Sequence, residues 1–103
     1  MNYLAVDTAS ESLKVLVCFD GKYGYFQCDD FTAASVRLMP EVDALLGRMG
    51  AKVSDMDMFA CVTGPGSFTG IRIGMATVKA LAYVCEKPTV GVTALELLAY
   101  NCK

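Results

Sequence analysis

Histidine is absent from the 103 residues, and with it go the commonest general base, the usual zinc ligand and every Ser-His-Asp or Cys-His arrangement. Catalysis by such a chain would have to rest on carboxylates, lysine or a bound metal. Runs of basic residues are missing too: 9 Lys and Arg stand against 11 Asp and Glu, for a formal charge of −2. The chain alone therefore carries no electrostatic footprint for RNA or DNA. Its five cysteines, Cys18, Cys28, Cys61, Cys85 and Cys102, are odd in number, widely spaced and without a CxxC pair, so neither a disulfide framework nor a zinc knuckle is suggested. Reduced, cytosolic thiols are the expectation. The opening MNYLAVDT lacks a basic region followed by a long apolar stretch, which argues against a signal peptide. The longest apolar helix candidate, 71–85, carries Arg72 and Lys79 and is too short to span a bilayer. These absences point to a cytoplasmic protein that does not engage a membrane.

What the sequence has in surplus is apolar surface. Hydrophobic residues make up 54% of the chain and the mean hydropathy is +0.42, against about 45–50% apolar residues in ordinary soluble domains. A domain of this length withdraws only roughly 60–65% of its unfolded surface from water, so part of the surplus should stay outside. Such a patch marks a place where another protein, or a missing part of the same chain, normally sits.

The patterning predicts the order βββαβαβα. Residues 3–8 and 12–19 read as a hairpin, Asp20-Gly21 as a tight turn, and 22–28 as a third, aromatic-rich strand, giving an antiparallel meander. Leu38, Val42, Leu45, Leu46 and Met49 fall at helical spacing within 34–49, and Gly50 supplies the stop. Pro40 leaves two readings open: a helix that begins near Met39, or one kinked there. After Asp55 and Asp57, read as solvated turn residues, 58–62 forms a buried strand, 71–86 a second helix closed by Pro88, and 90–92 a short strand. Thr93 and Glu96 form a capping box for a last helix. An antiparallel meander followed by strand–helix alternation is an α/β pattern whose later strands add in parallel beside the first. The order suits a ribonuclease H-like half-domain with a mixed five-stranded sheet.

Two places could carry chemistry. In Gly64-Pro65-Gly66-Ser67-Phe68-Thr69-Gly70 a strand ends in a glycine-rich turn that opens a helix. Small residues there would let the backbone approach a phosphate and aim a helix N-terminus at it, or would simply allow tight packing. The lysine of a GxxxxGK[ST] loop is missing, and both readings stay open. Asp7-Thr8, at the end of the first strand, could hold a metal-bound water beside a phosphate-facing turn, or merely start the turn through hydrogen bonds to its own backbone. No second carboxylate is placed to pair with Asp7 for acid–base work. Within the second helix, Gly70 and Gly74 are four apart, as are Ala76 and Ala80. Packing on the chain's own sheet explains one such small-residue stripe but not both.

Leu4-Ala5-Val6-Asp7-Thr8, Leu38-Met39-Pro40-Glu41-Val42 and the stretch Gly64 to Gly74 together resemble the TsaB (YeaZ) family, and the likeness continues through Lys79-Ala80-Leu81-Ala82 and 88–96. The resemblance implies an actin/Hsp70/sugar-kinase-type (ASKHA) fold. It also implies a catalytically silent relative of TsaD, the transferase of threonylcarbamoyl to adenosine in ANN-decoding tRNAs, with a TsaE-like ATPase joining the complex. Family members are longer and carry a second domain, so 1–103 reads as the N-terminal domain. In the family this domain's helices form a homodimer or, in exchange, the TsaD contact. Val42, Leu46, Arg72, Gly74, Met75 and Val78 are the expected partner surface. Before Leu38, where the family commonly has a histidine, this chain reads Ala33-Ala34-Ser35-Val36-Arg37. The metal-holding histidine pair of the catalytic relative has no counterpart here. Against this scaffold, without resident cofactor or metal, stands a kinase-like half-domain that binds nucleotide through Asp7 and the two turns. A third possibility is a structural domain that closes on a missing C-terminal half.

Overall fold

The computed structural model describes residues 1–8, 12–28, 34–63 and 68–92. The elements are β1 (Tyr3–Asp7), β2 (Leu13–Phe19), β3 (Lys22–Cys28), α1 (Ala34–Arg48), a 3-10 turn (Val53–Asp55), β4 (Met58–Val62), α2 (Phe68–Cys85) and β5 (Thr89–Val92). This matches the expected order through β5. The helix expected to open at Thr93 lies outside the described residues.

The five strands form one mixed sheet in the order β3-β2-β1-β4-β5. The β1 strand pairs antiparallel with β2 and parallel with β4, so it occupies the centre, and all five of its residues are buried. Asp20 (φ 54) and Gly21 (φ 79) join β2 to β3, the pair of positive φ angles that a two-residue hairpin with correct strand twist demands.

Strand alternation divides the interior in two. On one face Leu4 and Val6 of β1, Leu13, Val15 and Val17 of β2, and Phe59 and Cys61 of β4 meet both helices: Leu38, Val42, Leu45 and Leu46 from α1, and Val78 and Ala82 from α2. Each large side chain taken out of water there contributes about 1.5–3 kcal/mol. The opposite face holds a second cluster of Tyr3, Ala5, Leu16, Cys18, Ala60 and Val62.

The α1 helix starts at Ala34 and runs through Pro40, which excludes a beginning near Met39. Proline costs a helix one hydrogen bond, here to the carbonyl of Val36. Both Val36 and Pro40 are exposed, so water can take up that carbonyl. The helix ends in a Schellman turn: Gly50 sits at φ 70 and the N–H of Ala51 donates to the carbonyl of Leu46 at 2.9 Å. The α2 helix ends the same way, with Lys87 N–H donating to Ala82 at 2.9 Å, but the left-handed position belongs to Glu86 (φ 56). The opening residues are fastened by Asn2. Its backbone N–H donates to the Asp57 carboxylate at 2.9 Å, its side-chain amide donates to the carbonyl of Asp55, and its side-chain oxygen accepts from the Asp20 N–H.

Candidate partner interface

The α2 helix carries two small-residue stripes, and the sheet uses only one. Gly70, Gly74, Val78 and Ala82 follow one another at i, i+4 and are all buried, which places them along the line of contact with the sheet. A Cβ placed on Gly74 would lie 2.6 Å from Thr8 Oγ1, closer than real Cβ contacts allow. That hydroxyl in turn donates to the carbonyl of Gly70. Thr8 therefore fills the corner between the end of β1 and the first turns of α2, and the bare Cα of Gly74 receives it.

The other stripe looks outward. Thr69, Arg72, Ala76, Lys79, Ala80, Tyr83 and Val84 are exposed along three turns and more of α2. Tyr83 and Val84 are 86% and 78% exposed, although α2 bears no acidic residue and only two basic ones. Beside it on the same face of the sheet, α1 presents Val36 (74% exposed), Met39 and Pro40, with Ala44 and Gly47 further along. This is where much of the apolar surplus ends up. A shallow depression of about 340 Å³, lined by Thr69, Arg72, Ile73 and Ala76, indents the N-terminal half of the α2 stripe.

The expected partner residues divide accordingly. Arg72 is exposed and Met75 half-buried, but Val42, Leu46, Gly74 and Val78 are buried in the chain's own core. Those four face the sheet rather than solvent, so they are not available as a surface. Both helices are apolar on two sides, and periodicity alone does not say which side meets the sheet. The signal was present in the charges: Arg72 and Lys79 mark the solvent side, and Ala76, Ala80 and Tyr83 lie along it.

Asp7 and Thr8 do not converge. Thr8 belongs to the helix-covered face, and alternation sends Asp7, buried, to the other. Thr8 and Gly74 close the corner between the end of β1 and the first turns of α2. Of the residues expected in the glycine-rich turn, Phe68, Thr69 and Gly70 already belong to α2, Thr69 exposed and Gly70 buried, while Gly64, Pro65, Gly66 and Ser67 lie outside the described residues, as does the side chain of Phe68. Among the described residues no three His, Cys, Asp or Glu come together as a metal site, and no helix is long and apolar enough to cross a membrane. Among the described residues, Cys18, Cys28, Cys61 and Cys85 form no disulfide. Burial pushes the Cys61 thiol above its ordinary range, with Lys79 partly opposing the shift. Cys28 lies beside Arg37, whose guanidinium donates to Sγ at 2.9 Å, stacks 5.7 Å from the Phe26 ring centre and pairs with Glu41 at 3.4 Å. This cluster ties α1 to the edge strand.

A central strand flanked by an antiparallel meander on one side and parallel strands on the other, with α1 and α2 over one face, defines an α/β domain of the actin-like ATPase type. The family model described as TsaD, tRNA N6-adenosine threonylcarbamoyltransferase, matches residues 32–103. The chain is 36% identical over 100 residues to the tRNA threonylcarbamoyladenosine biosynthesis protein TsaB of Escherichia coli, covering 96% of this chain and 43% of that protein. It is 35% identical over 102 residues to TsaB of Bacillus subtilis, covering 98% and 44%. The solved structure of YeaZ from Pseudomonas aeruginosa superposes with a TM-score of 0.88 at 33% identity, over 97% of this chain and 47% of that one. The chain belongs to the TsaB (YeaZ) family, and it spans a little under half the length of these relatives. A tRNA N6-adenosine threonylcarbamoyltransferase of Sphingopyxis alaskensis is 40% identical over 60 residues, covering 58% of this chain and 17% of that protein.

Proposed function

We propose that this chain is the non-catalytic, partner-binding domain of a scaffold in tRNA threonylcarbamoyladenosine formation at A37 of ANN-decoding tRNAs. It binds and supports a TsaD-like transferase, with a TsaE-like ATPase in the same complex, and forms a homodimer when the transferase is absent. The observation that carries the reading is the outward stripe of α2. A helix that exposes Ala76, Ala80, Tyr83 and Val84 has far more apolar surface than its own fold uses, and patches of that kind mark protein contacts. The names borne by the relatives supply the pathway. The absence of histidine and the closure of the Thr8 corner favour support over chemistry, and they favour it over nucleotide binding at this corner.

The test is the Ala80→Arg variant in association with a TsaD-like subunit from the same source. Ala80 lies on the outward stripe, so a charge there should leave the fold intact and weaken the complex by at least tenfold, with a parallel loss of threonylcarbamoyladenosine formation. Unchanged association would remove the α2 stripe from the interface. Val78→Arg is uninformative, because it buries a charge in the core and would dissociate any complex by unfolding the chain.

A further inference from the structure

The end of α2 is made of residues that do not favour it. Glu86 takes the left-handed position after the helix, at φ 56, where glycine is the usual occupant because it has no Cβ. The turn itself is closed by the backbone, Glu86 N–H donating to the carbonyl of Tyr83 and Lys87 N–H to that of Ala82, so the Glu86 side chain is not needed to form it. Its charge is unfavourable as well. The last carbonyls of a helix favour a nearby cation and disfavour an anion, yet α2 has no basic residue in its last turn and an acid directly after it. The stable arrangement is present in the same fold: α1 has Arg48 in its last turn and Gly50 in the left-handed position. Asp20, the other side-chain-bearing residue at positive φ, lies in an Asp-Gly hairpin turn that favours it. Glu86 has no such explanation within the fold; it is exposed and makes no ion pair among the described residues.

We propose that Glu86 is kept for recognition, and that its carboxylate receives a lysine or arginine side chain of the TsaD-like subunit. The inference rests on reading the outward face of α2 as the partner surface, and it names the charge that the partner must supply at one end of it. Strained side-chain-bearing residues gather where a binding site requires them, and the neighbours of Glu86 are what such a site needs: Tyr83 and Val84, just before it in the chain, are 86% and 78% exposed. An ion pair in open water adds little. A partner that covers Tyr83 and Val84 takes the pair at Glu86 partly out of water, where the same two charges attract more strongly. The charges of α2 also have an order. Arg72 and Lys79, its only charged residues, are basic and exposed, and the acid follows at the end. A subunit laid along the helix in one direction meets Glu86 with its cation; reversed, it brings that cation to Arg72, and like charges repel. Glu86 therefore sets which way the subunit lies on α2.

The experiment titrates this chain and its variants with a TsaD-like subunit from the same source, at low and at high salt, and records each melting temperature. Glu86→Gln removes the charge and keeps the shape; it should weaken the complex about tenfold at low salt, a difference that shrinks as salt screens the parent's ion pair. Glu86→Gly should raise the melting temperature by several degrees and weaken the complex to the same extent. Gain of stability with loss of binding is a pattern that damage to the fold does not produce. Either variant binding as the parent does at low salt overturns the proposal, and so does a loss that is the same at both salts. The two readings separate cleanly. If Ala80→Arg abolishes association while Glu86→Gln binds like the parent, the function stands and the role of Glu86 falls; if Ala80→Arg binds like the parent while Glu86→Gln does not, the role of Glu86 stands and the middle of the stripe leaves the interface.

Discussion

The inward and outward sides of α2 are built from the same kind of residue and do opposite things. Facing the sheet, Gly74 is small because Thr8 occupies the space a side chain would need. Facing water, Ala76 and Ala80 are just as regularly spaced, yet nothing in the fold crowds them. A short side chain therefore has two meanings in one helix: on one side it is required by a contact the chain already makes, and on the other it leaves the surface flat and open. Substitution tells the two apart, because only the first should register in stability.

The largest contrast should come from adding the same bulk to each side. Gly74→Val forces side-chain atoms into Thr8 and should cost about 3 kcal/mol, at the upper end for overpacking, whereas Ala76→Val should stay within about 0.5 kcal/mol; urea unfolding measures both. A finer version reverses a sign. Gly74→Ala should destabilise the parent, but in a Thr8→Ala background, where the hydroxyl is gone, it should stabilise by up to about 1 kcal/mol through helix propensity. A double-mutant cycle isolates the coupling, and additive effects would mean that Thr8 is not what keeps Gly74 bare.

Next in size is the end of α2. Glu86 holds a left-handed conformation that costs a side-chain-bearing residue about 1 kcal/mol, so Glu86→Gly should raise stability by about that amount. The equivalent position after α1 is already Gly50, and Gly50→Ala should lose a comparable amount. Equal stability of the Glu86→Gly variant and its parent would show that contacts of the Glu86 side chain offset the strain.

The smallest effect concerns Cys61, which lies beneath α2 on the sheet side. Its thiol is pushed above the ordinary value of 9.0 by burial, so the folded state prefers the neutral form. Its contribution is complete below that value and is lost as pH rises past it, because the unfolded chain ionises first. The parent should therefore lose more stability than Cys61→Ala between neutral and strongly alkaline pH, and equal slopes would remove Cys61 as the cause.

The strand order, the α/β class and the positions of all five strands were legible because alternation, the Asp20-Gly21 turn and the Gly50 stop are local signals. The course of α1 through Pro40 was left open in the sequence, since it depends on the proline lying toward solvent. The exposed apolar face of the two helices was legible as a surplus but not as a location. Val42, Leu46 and Val78 have the right hydrophobicity for an interface and the wrong direction, and direction is fixed only when the helix docks on Leu4, Val6 and Phe59. The use of Gly74 was hidden for the same reason: its partner, Thr8, is 66 residues away in the chain.

Asn2 bears on the order of events during synthesis. Two of the groups it binds, Asp55 and Asp57, follow it in the chain by more than 50 residues. At about 5–20 residues per second, the meander has several seconds to itself with one flank of β1 uncovered. Arrival of β4 closes that flank, and the Asn2 contacts form with it, so a residue made before the meander is secured only after it.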